Sequence, residues 1–99
     1  MKDNRIRIGI LGAGNIAQNA HIPSYLKQKD VEIAGIFDIN SDRAKDAANK
    51  FGIKYVSDNY KEIIDIEEID AVSICTTNDA HAEIAIAAAN AGKHILCEK

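Results

Sequence analysis

Ile8-Gly9-Ile10-Leu11-Gly12-Ala13-Gly14-Asn15-Ile16-Ala17 passes from a continuous apolar run into Gly-x-Gly-x-x-Ala. The residues just before it, Arg5-Ile6-Arg7-Ile8, alternate polar and apolar. Alternation that turns fully apolar is the pattern of a strand entering the middle of a sheet covered on both faces. The glycines then read in order. Gly12 permits a tight turn, Gly14 lets the backbone approach a pyrophosphate with no Cβ in the way, and Ala17 is small enough for a helix to pack closely on the strand. Amides at the start of that helix would face the anion. The plainer reading is a glycine turn that only joins strand to helix; the position in a first strand–loop–helix unit favours the pyrophosphate loop.

Working outward, strand and helix patterns alternate along the whole chain. A helical segment is expected from Asn15 to about Asn19, and Pro23 suits the first turn of a second short helix. Val31 to Phe37 is the next strand. Ser41 is a candidate cap for a helix whose Ala44, Ala47, Ala48 and Phe51 fall at i, i+3, i+4 and i+7, closed by Gly52. Lys54 to Val56 reads as a short strand, followed by a short helix over 59–64 with Ser57 and Asp58 as capping candidates. Ala71 to Cys75 is a strand, 79–90 an alanine-rich helix closed by Gly92, and His94 to Cys97 a fifth strand. Parallel strands need crossover connections, so this alternation predicts an α/β, doubly wound parallel sheet of about five strands.

Composition removes several classes of function. Ninety-nine residues make one domain, and 46% hydrophobic with 27% charged residues is ordinary for a packed core. A net charge of −3 offers no basic footprint for nucleic acid. No apolar run is long enough to span a membrane, and the first residues lack the apolar core of a secretory signal, so a cytoplasmic protein is expected. The two cysteines, Cys75 and Cys97, make neither a disulfide framework nor a metal set, and buried free thiols are the expectation.

Two further groups carry chemistry. Asp38 ends the second strand, 38 − 17 = 21 residues past Ala17, near the spacing of an acid that accepts hydrogen bonds from an adenosine ribose. A carboxylate there repels a 2′-phosphate and favours NAD, whereas Arg43 nearby is a candidate receiver for that phosphate and keeps NADP open. The plainer role for Asp38 is a turn residue in Asp38-Ile39-Asn40-Ser41-Asp42. Thr76, Thr77, Asn78 and His81 follow the fourth strand, where ligands of open α/β sheets bind. The alternative makes Thr77 or Asn78 a helix cap and His81 a surface residue of the first turn.

Gly12 to Ala17 with His21-Ile22-Pro23, Asp38, Thr76 to His81, and Gly92-Lys93-His94 running into Glu98-Lys99 resemble the N-terminal half of the Gfo/Idh/MocA oxidoreductase family. The resemblance covers nearly the whole chain. The family's second motif reads Thr-Pro-Asn-x-x-His, and Thr77 stands at its proline; the third reads Glu-Lys-Pro, and the chain ends after its lysine. The resemblance implies a nicotinamide dinucleotide held by Gly12, Gly14, Asn15, Ile16, Ala17, Asp38, Thr76, Thr77, Asn78, His81 and Glu98. It implies Lys99 as the catalytic residue, beside the nicotinamide, where it orients a sugar or polyol substrate or handles its hydroxyl proton. It further implies that a sixth strand and a C-terminal substrate domain are absent from residues 1–99, so that this chain alone is inactive; the alternatives are a nucleotide-binding or regulatory module without turnover, or a self-associating structural fragment. Without that cover the sheet edge and an apolar surface would stand open, and self-association is expected.

Overall fold

The first strand, β1 (Ile6–Leu11), lies at the centre of a five-stranded sheet with β2 (Val31–Phe37), β3 (Tyr55–Ser57), β4 (Ala71–Ile74) and β5 (His94–Cys97). The computed structural model describes residues 5–14, 18, 21–76 and 78–97. The strand order is β3-β2-β1-β4-β5 and every pairing is parallel, as the alternation predicts. The chain winds outward from β1 to β3, crosses back, and winds out the other way through β4 and β5. The reversal falls between β1 and β4, which is where open sheets of this kind leave a crevice at their carboxyl ends.

Successive side chains of a strand face opposite sides, so β1 feeds two cores. Ile8 and Ile10 pack with Ile22, Ile33, Ile36, Ala47 and Ala48, under the helices α1 (Ile22–Leu26) and α2 (Ser41–Phe51). Leu11 packs with Phe37, Ile63, Ile64, Ile74, Ile84 and Ala88, under α3 (Tyr60–Ile64) and α4 (Asn78–Asn90). Each fully buried isoleucine contributes about 1.5–3 kcal/mol relative to an exposed one. These two layers are the main source of stability. Between Ile8 and Gly9 the pairing with β2 shifts by one residue, so Ala34 is an extra residue on β2. The shift brings Gly9 beside Gly35 and Leu11 beside Phe37. A Cβ on Gly9 would stand 2.8 Å from Ile63 Cγ2, so α3 settles on the sheet only because this glycine pair leaves room.

Local signals set the helix ends. Pro23 occupies the first turn of α1. Gly52 has φ 69°, and its left-handed conformation closes α2 where the sequence placed it. Two caps differ from expectation by one or two positions. Asn40, not Ser41, caps α2, its side chain accepting from the Arg43 N–H at 3.1 Å. Asn59, rather than Ser57 or Asp58, caps α3 by accepting from the Lys61 N–H at 3.0 Å. Asn, Ser and Asp cap almost equally well, so a run of them does not reveal which one takes the extended backbone. Ser57 instead accepts from the Asn59 N–H at 2.9 Å and donates to Glu62, bracing the cap. At the opposite end of the sheet Lys93 Nζ donates to the carbonyls of Ile66 and Ile69 at 2.8 and 2.5 Å, fastening the loop before β4. Among the described residues no helix is long and apolar enough to cross a membrane.

Candidate functional site

The exits of β1, β2 and β4 converge. Gly12 N–H donates to the Phe37 carbonyl and Cys75 N–H donates to the Leu11 carbonyl, each at 2.8 Å. These bonds draw the three strand ends level. Gly12 has φ 118°, in the region that favours glycine, and a Cβ there would stand 2.8 Å from the carbonyl carbon and oxygen of Cys75. The loop after β1 therefore lies hard against the exit of β4. Gly14 is different: among the described residues a Cβ on it would meet only Arg43 Nη1, at 3.7 Å, which is ordinary contact. Gln18 N–H donates to the Gly14 carbonyl at 3.0 Å, a helical i to i−4 bond that leads out of the loop.

Asp38 holds this arrangement together. Its carboxylate is buried; Oδ2 accepts from the Ala13 N–H and Oδ1 from the Asn40 N–H, both at 2.8 Å. Arg43 Nε stands 3.7 Å from Oδ2, with the arginine side chain 47% exposed. An ionised carboxylate offers about four acceptor positions, so two bonds to amides leave capacity for ribose hydroxyls. The acid, the glycine loop and a movable guanidinium thus share one mouth.

They open on a cavity of about 480 Å³. Gly12, Gly14, Asp38, Arg43 and Thr76 line it, as the sequence reading groups them. Thr76 Oγ1 is buried with no hydrogen-bond partner among the described residues. A buried hydroxyl left unpaired costs about 1–3 kcal/mol, so this oxygen fits a bound polar group. Together with the bare loop at Gly14, it makes the crevice fit a dinucleotide. His81 is half-buried on α4 and does not line the cavity. The backbone of Asn78 opens α4, but its side chain lies outside the described residues, as do Asn15, Ile16, Ala17, Thr77, Glu98 and Lys99.

Cys75, read from the sequence only as a thiol, also lines the cavity, and the rest of the lining was not singled out from the sequence: Phe37, Ile39, Tyr60, Ala80, Glu83 and Ile84. Cys75 is half-buried rather than buried as expected, because it lies at the open exit of β4, with its Sγ 3.7 Å from Ser73 Oγ. Tyr60 on α3 donates to Glu83 Oε2 on α4 at 2.5 Å, and its ring meets Phe37 edge-on, with centroids 5.9 Å apart and planes at 78°. That bond to Glu83, then partial burial and the Glu83 charge, push the Tyr60 phenol above its usual value of 10.0. The neutral phenol is the form the fold favours. The stabilisation is therefore complete below the ordinary tyrosine range and disappears as pH rises through the raised value. In a phenolate absorbance titration, the component missing from Tyr60→Phe is expected to be the late one, and Glu83→Gln should bring it earlier. A Tyr60 component that ionises at the usual pH in the parent chain would refute the bond.

Comparisons with known proteins agree with this geometry. The Gfo/Idh/MocA family model, described as an oxidoreductase family with an NAD-binding Rossmann fold, matches residues 6–99. The chain is 33% identical to myo-inositol 2-dehydrogenase of Thermotoga maritima, over 95% of this chain and 28% of that protein. It is 32% identical to D-glucoside 3-dehydrogenase of Escherichia coli, over 100% of this chain and 28% of that one. Among solved structures, KijD10, a 3-ketoreductase from Actinomadura kijaniata in complex with NADP and TDP-benzene, is similar with a TM-score of 0.90 and 33% identity, covering 97% of this chain and 29% of that one. The chain thus spans about 28% of the length of the curated relatives it matches.

Proposed function

Because the chain belongs to the Gfo/Idh/MocA oxidoreductase family, we propose that it is the cofactor-binding part of an enzyme that transfers hydride between a nicotinamide dinucleotide and a sugar or polyol. One observation carries this reading: Asp38, the glycine loop and the Thr76 hydroxyl, which has no partner among the described residues, face a single crevice at the switch point of the sheet. The dehydrogenase and ketoreductase activities in the names of its relatives support the substrate class.

In this reading Gly12 and Gly14 take the pyrophosphate and Asp38 the adenosine ribose, while Thr76 completes its bonding on the bound molecule. The nicotinamide, when bound, accepts or supplies the hydride. Lys99 would hold a substrate hydroxyl at its Nζ, where a cation favours the developing alkoxide. The 99 residues span little more than a quarter of the relatives, so we assign cofactor binding without turnover to them alone and the reaction to a protein of the relatives' length.

NAD is the preferred cofactor in this proposal, because the Asp38 carboxylate repels a 2′-phosphate; NADP is admitted through Arg43, as the complex of KijD10 with NADP encourages. Titration of the chain with NADH and NADPH, followed by nicotinamide fluorescence, tests both statements. Saturable binding of NADH is expected. Arg43→Ala should weaken NADPH about tenfold, the worth of one charge-assisted bond, and NADH less than about twofold. No saturation by either dinucleotide at millimolar concentration would overturn the cofactor assignment. An equal effect of the substitution on both would overturn the role of Arg43.

Self-association belongs to the same proposal. β5 has a neighbouring strand on one side only among the described residues, and exposed apolar side chains such as Ile6 and Ile86 add to the surface available for contact. Light scattering is expected to give a mass above that of one chain as concentration rises; a constant monomer mass would remove this part.

A further inference from the structure

The far end of the crevice contains an arrangement that cofactor binding in general does not require. With the pyrophosphate at Gly12 and Gly14, the ribose at Asp38, and Arg43 and Thr76 assigned above, the lining that remains is Phe37, Ile39, Tyr60, Cys75, Ala80, Glu83 and Ile84. Apart from Glu83, the Tyr60 hydroxyl and the Cys75 thiol it is apolar. Ile39, the residue after Asp38, is 85% exposed, an apolar wall with nothing against it among the described residues. Such walls suit the faces of a flat base. Among the described residues of this lining, the Glu83 carboxylate is the anionic acceptor available to a base's edge.

That carboxylate is on an exposed residue and is oriented by one bond. Phe37 is buried at the end of β2 and fixes the Tyr60 ring edge-on; the Tyr60 hydroxyl, 2.5 Å from Glu83 Oε2, then fixes the carboxylate. Oε1 has no hydrogen-bond partner among the described residues. An ionised carboxylate can only accept hydrogen bonds, so its ligand must present a donor. Adenine presents an amine at position 6, whereas hypoxanthine and guanine present a carbonyl oxygen there. A site that bonds one of these groups is left with an unmet or repelled partner by the other.

We propose that Glu83, positioned by Tyr60, selects the adenine base of the dinucleotide by accepting a hydrogen bond from its 6-amino group. The proposal rests on the cofactor reading above and assigns the base-reading residue within it. Glu83 contacts the ligand; Tyr60 acts through Glu83.

The test compares the affinity of the 99-residue chain for NAD with that for nicotinamide hypoxanthine dinucleotide, in which a carbonyl oxygen replaces the 6-amine and N1 gains a hydrogen, so that the donor leaves position 6. The ratio of the two affinities is the readout, because a general loosening of the fold lowers both and leaves the ratio unchanged. The parent chain is expected to prefer NAD about tenfold, the usual worth of a hydrogen bond to a charged group. Glu83→Gln should reduce the preference to less than about twofold, since an amide can either accept from the amine or donate to the oxygen. Tyr60→Phe should give an intermediate ratio while retaining NAD binding. Saturable binding of both dinucleotides with no preference in the parent chain, or a preference that survives Glu83→Gln, would overturn the base-reading role and leave the cofactor assignment standing. Binding of neither would overturn both.

Discussion

Gly12→Ala is expected to lower the unfolding free energy by about 3 kcal/mol or more. Two costs combine. A non-glycine residue at φ 118° is strained by about 1–3 kcal/mol, and a Cβ 2.8 Å from the Cys75 backbone forces the exits of β1 and β4 apart, which typically costs another 1–3. The obstructing atoms are main chain, so no rotamer change relieves them. Domains of this size have about 5–15 kcal/mol in all, so the loss would be plain in a urea titration as a lower midpoint with an unchanged slope. A midpoint that does not move would show that the loop can shift away from β4.

Gly14→Val is expected to do the reverse, sparing the fold and abolishing the ligand site. Among the described residues the new Cβ meets only the end of a flexible arginine, 3.7 Å away, and the backbone φ there is not in the glycine region. The urea midpoint should stay close to that of the parent chain. Dinucleotide affinity should fall about 100-fold, roughly 2.7 kcal/mol, because the side chain fills the approach to the loop amides. Affinity within a few-fold of the parent would place the pyrophosphate elsewhere. Two glycines with one residue between them would thus separate: one required by the strands, the other by the proposed ligand.

How much of this is legible in the sequence follows from the range of each interaction. The glycine loop and Asp38 are read from spacing because a strand–turn–helix unit is local and its glycines answer to backbone geometry. Gly52 is legible for the same reason. The Tyr60–Glu83 bond is not, since its partners lie 23 residues apart on helices brought together only when α3 and α4 cover the same face of the sheet. The unpaired Thr76 hydroxyl is equally hidden: sequence shows a polar residue at a strand end, but not that its oxygen is buried. The shift at Ile8 and Gly9 leaves only a weak trace, because Ala34 and Gly35 fit either side of a sheet. Even so, the pairing of Gly9 with Gly35 accounts for two glycines in strands where they would otherwise weaken the sheet.

The bond from Ala13 N–H to Asp38 has a consequence for how such a protein could change its diet of cofactors. One carboxylate both faces the site proposed for the ribose and anchors the loop that would receive the phosphates. A lineage that exchanged Asp38 to welcome a 2′-phosphate would, in the same step, strip a buried amide of its acceptor and slacken the loop. Arg43, half in solvent and outside that bond, can vary at little cost to the fold. The accessible order of change therefore begins at residue 43, and an exchange at 38 becomes tolerable only once some other acceptor has taken over the Ala13 N–H.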